Sequence, residues 1–176
     1  MKTIVTIFIS ISFLLIIGCG KQDVKAPEVD LHAAVVTGNI EAILQHVKAG
    51  SDLNVKEHTR GSTPLITAAL FGKTDEAIAL IEGGADLNYQ NNEGSTALHT
   101  AVFACRLEIV NALLENGADK NLKNAAGRIP RESVTVPFED IKFAYDQLGA
   151  GLAPLGLILD YDYIQATRPI IADLLK

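Results

Sequence analysis

Few residues of this 176-residue sequence have a type and spacing that could carry out chemistry. His32 and His99 could ligate a metal ion, but no cluster of acidic or cysteine residues stands at ligand spacing from them. Asp140, Asp160 and Asp162 are the carboxylates available to a catalytic site in the C-terminal third. The sequence contains no glycine-rich phosphate loop, no serine nucleophile elbow and no convincing pair of catalytic acids. We therefore expect no catalytic residue, no metal, no cofactor and no small-molecule substrate.

The N-terminal residues favour export and attachment of a lipid. Met1-Lys2 precedes the apolar stretch from Ile4 to Ile17, about fourteen residues, whereas a membrane span needs roughly 20. Ile16-Ile17-Gly18-Cys19 resembles the lipobox of bacterial lipoproteins. The resemblance implies that residues 1–18 are a signal peptide and that Cys19 carries the lipid as the first mature residue. The alternatives are an ordinary cleaved signal or an uncleaved anchor, with an incidental cysteine at position 19.

Lipidation would place the protein in the bacterial cell envelope, facing the periplasm or the exterior. Gly20 stands where inner-membrane lipoproteins of enteric bacteria carry an aspartate, which favours the outer membrane. Residues 19–29 are mostly polar and would form a tether. Removing residues 1–18 takes away Lys2 and no acid, so 14 basic and 21 acidic residues remain, a formal charge of −7. This acidic balance, without a basic stripe, argues against nucleic acid as the partner.

Two short motifs recur along the chain with a fixed displacement. Gly61-Ser62-Thr63-Pro64-Leu65 returns as Gly94-Ser95-Thr96-Ala97-Leu98, and Gly84-Ala85-Asp86-Leu87-Asn88 returns as Gly117-Ala118-Asp119-Lys120-Asn121. Both displacements are 33 residues. The earlier copy of the second motif, which begins at Gly50, lies 34 residues before its counterpart, so one extra residue falls in the loop between the copies. Such a period predicts a repeat protein.

Thr96-Ala97-Leu98-His99-Thr100-Ala101 and Thr63-Pro64-Leu65-Ile66-Thr67-Ala68 each depart at one position from the Thr-Pro-Leu-His-x-Ala signature. The chain therefore resembles the ankyrin-repeat family. The resemblance implies an all-α solenoid of helix-turn-helix units, a monomer, with repeats at residues 30–60, 61–93 and 94–126. It also implies that His32 and His99 bond to backbone and brace the following loop, instead of binding metal.

Cys105 interrupts a pattern of glycines. Gly38 and Gly72 are expected to end the first helix of their repeats in the left-handed conformation, and Cys105 stands at the third such position. A residue with a side chain is strained there, at a cost of about 1 kcal/mol. Cys105 is interpreted as a small buried apolar residue, with a reactive thiol as the alternative.

Residues 127–176 are predicted to form an irregular helical cap on the repeats. Gly127-Arg128-Ile129-Pro130 begins like a fourth repeat, but residues 134–137 are expected to be extended. A helix is predicted from Phe138, followed by a flexible or turn-rich link over residues 149–156. The final residues look like the second helix of a repeat, so the whole segment would cover the end of the stack.

Ankyrin domains bind proteins through the tips of their loops and the exposed face of their first helices. The corresponding positions are Thr59, Arg60, Ser62, Asn92, Glu93 and Ser95 at the tips, and Val36, Thr37, Leu70, Phe71, Phe103 and Ala104 on the helices. Four of the helix residues (Val36, Leu70, Phe71 and Phe103) would form an apolar stripe, which commonly marks a partner site. Alternatively, the C-terminal segment folds back over this stripe, or its side chains tuck between repeats.

Three functions are compatible with the sequence. The first is a non-catalytic protein-interaction module tethered to the cell envelope. The second is an immunity or inhibitor lipoprotein that neutralises a periplasmic toxin or enzyme. The third is an enzyme whose site lies in residues 127–176, which the missing nucleophile and base disfavour.

Overall fold

A computed structural model describes residues 25–176 as nine α-helices and one 3-10 turn. The elements are α1 (Leu31–Thr37), α2 (Ile40–Ala49), α3 (Pro64–Phe71), α4 (Thr74–Glu82), α5 (Ala97–Phe103), α6 (Leu107–Glu115), α7 (Glu132–Thr135), α8 (Phe138–Leu152), the 3-10 turn (Ala153–Leu155) and α9 (Tyr161–Leu174). The predicted all-α solenoid is confirmed. The predicted signal peptide and Cys19 lie outside the described residues. Between residues 25 and 176, no helix combines the length and apolarity needed to cross a bilayer.

The helices lie in two rows with the core between them. Helices α1, α3, α5 and α7 pack side by side in an inner row, and α2, α4, α6 and α9 pack in an outer row behind them. Fully buried side chains such as Leu65, Leu80, Leu98 and Ile109 fill the space between the rows. Each pair of helices has an apolar face too large for it to bury alone, so stacking onto the next pair stabilises both.

Local sequence signals set the limits of the inner helices. Thr63 and Thr96 cap α3 and α5, because each hydroxyl oxygen accepts the backbone N–H three residues further on. Gly38 and Gly72 follow α1 and α3 with φ angles of 73° and 68°. Cys105 occupies the equivalent position near the end of α5 with a φ of 53°. The left-handed conformation expected from the glycine pattern is therefore present, and it costs a residue with a side chain about 1–2 kcal/mol.

Asparagine side chains join consecutive repeats. The Oδ1 atom of Asn54 accepts the backbone N–H of Asp86 at 2.8 Å. One repeat later, Oδ1 of Asn88 accepts the N–H of Asp119 at 2.9 Å. These bonds recur with the repeat because each asparagine follows the same outer-helix turn.

The loop that carries the extra residue is held by a longer side chain than its counterparts. The Asn91 carboxamide accepts two backbone N–H groups of its loop, including that of Ser95 at 2.9 Å, and Asn124 does the same in the next loop. In the longer loop, the Glu57 carboxylate takes this role and accepts the N–H groups of Thr59, Arg60 and Ser62 at 2.6, 2.6 and 3.1 Å. The additional methylene of glutamate lets one side chain brace a loop that is one residue longer.

The fourth unit differs from the sequence prediction in two places. Residues 134–137 were expected to be extended, but α7 runs to Thr135 and only Val136 and Pro137 are extended. Residues 149–156 were expected to form a turn-rich link, but α8 continues to Leu152 and the 3-10 turn to Leu155. Glycine propensity is a weak signal that tertiary context overrides. Helix α7 therefore takes an inner position, α9 an outer one, and α8 is an insertion between them.

A candidate protein-binding groove

A groove opens between the inner helices and α8, and its volume is about 1230 Å³. Its first side, called the concave wall, consists of α1, α3 and α5 with the loops that precede α3 and α5. Its second side, called the α8 wall, consists of α8 and the 3-10 turn. Ile129, Pro130 and Ser133 also line it. Both walls are predominantly apolar, and polar groups are concentrated on the loops, as in many ligand sites.

Most positions predicted to bind a protein lie on the concave wall. Nine of the twelve line the groove: Val36, Thr59, Arg60, Ser62, Leu70, Phe71, Glu93, Ser95 and Phe103. The repeat brings them together because the inner helices stand side by side and their preceding loops project from the same edge. The family pattern thus anticipated nine of the residues on this wall, whereas their role in binding stays a prediction.

Of the other three positions, one requires correction. Ala104 was placed on the exposed helix face, but it is only 1% exposed because α5 ends at Phe103 and Ala104 turns into the core. Thr37 and Asn92 are exposed but do not line the groove. Ser62 does line it, yet only 8% of this residue is exposed, so it offers a partner little surface.

The sequence reasoning missed the α8 wall. Phe143 is 71% exposed and lines the groove, together with Ile141, Leu148, Leu152 and Leu155. The available signal was the spacing of Ile141, Leu148, Leu152 and Leu155, which continues one helical face through the glycines. Because this segment has no counterpart in the other repeats, its position over the concave wall could not be read from the repeat.

Tyr145 anchors α8 to the concave wall. Tyr145 is the buried residue of α8. Its ring stacks on that of Phe103 with the centroids 4.7 Å apart and on that of Phe138 with the centroids 5.7 Å apart. The Tyr145 hydroxyl donates to the Phe103 carbonyl oxygen at 2.7 Å. The C-terminal segment therefore folds back over Phe103, whereas Val36, Leu70 and Phe71 face the open groove.

Arg168 of α9 forms hydrogen bonds to α7, to α8 and to the link between these two helices. This residue is only 4% exposed. Its guanidinium donates to the Ser133 carbonyl at 3.1 Å, to the Tyr145 hydroxyl oxygen at 3.3 Å and to the Val136 carbonyl. Among the residues that the structure describes, Arg168 forms no ion pair within 4.0 Å. Its buried charge is therefore balanced by oxygen dipoles from α7, α8 and the link between them.

The Cys105 thiol lies beside this group and is fully buried. Burial raises the pKa of the Cys105 thiol to about 11, although the Arg168 guanidinium acts in the opposite direction. At neutral pH the thiol is protonated and poorly nucleophilic. The structure therefore supports the interpretation of Cys105 as a small core residue.

His32 and His99 are bound to backbone on the concave wall. The Nε2 atom of His32 lies 3.0 Å from the Val55 carbonyl oxygen, and that of His99 lies 3.0 Å from the Arg128 carbonyl oxygen. Each contact joins an inner helix to the following loop, as the family resemblance implied. Burial lowers the pKa of His99 despite its bond to Arg128, so the neutral ring is favoured. Between residues 25 and 176, no group of three potential metal ligands forms.

The carboxylates considered for catalysis do not meet in the groove. Asp140 lines it, whereas Asp160 caps α9 by accepting the Tyr163 N–H at 3.1 Å. Asp162 lies exposed in the first turn of α9. At the loop tips, Arg60 and Glu93 form an exposed ion pair at 3.5 Å. The arrangement offers an apolar surface with charged edges, the usual composition of a protein-binding site.

Comparison with known proteins identifies the same repeats. The family model described as ankyrin repeats in three copies matches residues 31–124, just over half of the chain. ARF GTPase-activating protein Git of Drosophila melanogaster is 38% identical over 71 residues, 40% of this chain and 9% of that protein. Mouse protein phosphatase 1 regulatory subunit 27 is 42% identical over 63 residues, 36% of this chain and 40% of that protein. The matches thus span less than half the length of these relatives.

A solved structure shares the fold. The ankyrin repeat domain of Bcl-3, a member of the IkappaB protein family, superposes with a TM-score of 0.55 and 34% identity, over 57% of this chain and 44% of that chain. Ankyrin repeats are protein–protein interaction modules and are generally non-catalytic. The recurring motifs, the two rows of helices and these matches establish that this chain belongs to the ankyrin-repeat family.

Proposed function

We propose that the chain is a non-catalytic module that binds another protein in the groove between the concave wall and α8. The observation that carries this proposal is an apolar lining on both walls, in which the half-buried Leu70 and Phe71 share one cavity with the exposed Phe143 and Leu155. Exposed apolar surface of this kind is costly in water and commonly marks a partner site. Aromatic residues at its centre would be the principal anchors.

The walls favour a helical segment of the partner. Outside the loops at the edge of the concave wall, both walls are helix faces, whose backbone N–H and C=O groups already bond within their own helices. An extended segment would therefore leave its backbone groups unpaired between apolar side chains, which is unfavourable. An α-helix satisfies its own backbone and can present apolar side chains at successive turns to both walls.

The lipobox resemblance extends the proposal to the location of the protein. Lipid on Cys19 would tether the domain to the bacterial cell envelope through residues 19–29. Binding in the groove could then either recruit a partner to the membrane or block a toxin or enzyme in the periplasm. The identity of the partner separates these two roles, since an inhibitor must reduce the activity of what it binds.

The proposal is tested by crosslinking in the native membrane. A photoreactive amino acid replaces Phe143, which lines the groove, or Ile158, which is 79% exposed but lies outside its lining. We expect one protein to crosslink at position 143 and not at position 158. Adding Phe71→Glu should remove this crosslink, while Leu44→Glu, on the exposed side of α2, should preserve it.

Circular dichroism establishes that each variant is folded before crosslinking is compared. Equal crosslinking at positions 143 and 158, or a crosslink that survives Phe71→Glu in a folded protein, would exclude the groove as the binding site. Mass spectrometry of intact protein recovered from membranes tests lipidation separately, since a diacylglycerol on Cys19 adds a defined mass.

A further inference from the structure

Helix α8 lines one side of the groove and buries only a small part of its surface. Of its 15 residues, Tyr145 is the buried one. The space below α8 is the open groove, and Phe143 on the helix is mostly exposed. Phe138 and Ile141 pack half-buried against the core, and the Asp146 carboxylate accepts from the Tyr161 hydroxyl at 2.8 Å. A helix in a packed core normally buries a full apolar face, whereas α8 is held around Tyr145 and at its contacts with Tyr161.

The attachment point combines ring stacking with a short chain of hydrogen bonds. The Tyr145 hydroxyl donates to the Phe103 carbonyl at 2.7 Å and accepts from Arg168 at 3.3 Å. On either side of α8 the chain changes direction, at the extended Val136–Pro137 link and at Gly156, whose φ is 88°. These two turns lie at the ends of the segment that contains α8 and the 3-10 turn, and the hinges of other proteins are found at such element ends.

We propose that α8 is a hinged lid over the groove and that Tyr145 is its latch. In the closed state the ring covers Phe103 and Cys105 at one end of the concave wall. In the open state the ring leaves this end, which exposes both residues and lengthens the groove available to a partner. The role of the lid in admitting a partner to the groove rests on the proposed function. The opening of the lid itself requires no partner and can be measured on the chain alone.

Cys105 reports this opening without any partner. The full-length protein is treated with N-ethylmaleimide, and labelling of the peptide that contains Cys105 is followed by mass spectrometry. Tyr145→Phe retains the ring and removes the hydroxyl bonds, so we expect Cys105 to be labelled about tenfold faster, the effect of losing ordinary hydrogen bonds. Tyr163→Phe is the matched control, because Tyr163 lies exposed on α9, and it should leave the rate unchanged.

Amide hydrogen exchange separates lid opening from unfolding and from a direct effect on the thiol. The lid requires faster exchange over residues 138–152 in Tyr145→Phe, with α3 and α4 unaffected. An unchanged labelling rate would overturn the proposal. So would faster labelling accompanied either by no change over residues 138–152 or by equal acceleration throughout the repeats. None of these readouts involves a partner, so failure of the lid leaves the crosslinking test of the groove unaffected.

Discussion

Arg168→Met is the substitution that most directly tests how the C-terminal segment is held together. Arg168 is almost fully buried and donates to carbonyl oxygens of Ser133 and Val136 and to the Tyr145 hydroxyl. Methionine replaces the aliphatic stem of arginine, but it ends where the guanidinium begins and cannot donate to these oxygens. The substitution therefore removes the hydrogen bonds and also the volume of the guanidinium.

The magnitude follows from the groups left behind. A buried acceptor that loses its donor costs about 1–3 kcal/mol, and the part-buried Ser133 and Val136 carbonyls belong at the low end, so together they cost about 2–3 kcal/mol. Removing a buried cation offsets part of this cost, because its guanidinium no longer has to be withdrawn from water. We expect a net loss of about 2 kcal/mol in the free energy of unfolding of the segment from α7 to α9.

Urea denaturation followed by far-UV circular dichroism measures this loss, and hydrogen exchange locates it. Arg128→Met is the control, since Arg128 is exposed, and it should change stability by less than about 0.5 kcal/mol. In Arg168→Met, hydrogen exchange should accelerate more in α7, α8 and α9 than in α1 to α4. If the two variants are equally stable, the hydrogen bonds of Arg168 do not hold the segment and the reasoning is refuted.

Three further predictions concern the repeats. Burial acts to raise the pKa of the Glu57 carboxyl, but hydrogen bonds from three backbone N–H groups lower it overall. The ionised carboxylate therefore stabilises the loop fully above the unfolded-state pKa. This stabilisation is lost as the pH falls through the lowered pKa of the folded state. Hydrogen exchange of the Thr59, Arg60 and Ser62 amides should show this loss, and Glu57→Gln should abolish its pH dependence. Gly72→Ala should lower the melting temperature more than Gly50→Ala, although both glycines have a positive φ. The new Cβ at position 72 would lie 2.9 Å from the Arg106 guanidinium, whereas the one at position 50 meets nothing within 4 Å. Equal melting temperatures would contradict this prediction. A chain ending at Asn124 should aggregate or melt well below the full-length protein, because α9 no longer covers α6, and equal stability and solubility would show that residues 125–176 are not a cap.

The repeats could be predicted because each signal is local and recurs. Thr63 and Thr96 cap helices through bonds that span three residues, and the glycine pattern anticipated the unusual backbone at Cys105. Periodicity then placed Leu70 and Phe71 on the same wall without any knowledge of long-range contacts. Repetition supplied the tertiary information that a single sequence normally lacks.

The second wall could not be predicted for the opposite reason. Helix α8 occurs once, and its position depends on Tyr145 reaching Phe103 and on Arg168 reaching back across 32 residues to Val136. Neither contact leaves a periodic trace in the sequence. Gly149 and Gly151 further suggested a flexible link, although the helix passes through both. The sequence therefore left open whether the stripe was covered, and the structure shows Tyr145 stacked on Phe103 while Val36, Leu70 and Phe71 are half-buried in the lining of the groove.

The loop braced by Glu57 shows how insertions can be tolerated in this chain. Loop length and side-chain length change together there: the inserted residue is matched by one more methylene, and the same backbone amides remain satisfied. An insertion without the longer side chain, or the longer side chain without the insertion, would each lose part of the brace. The two changes are therefore expected to be epistatic, so that shortening this loop by one residue should be tolerated better with Glu57→Asn than without it.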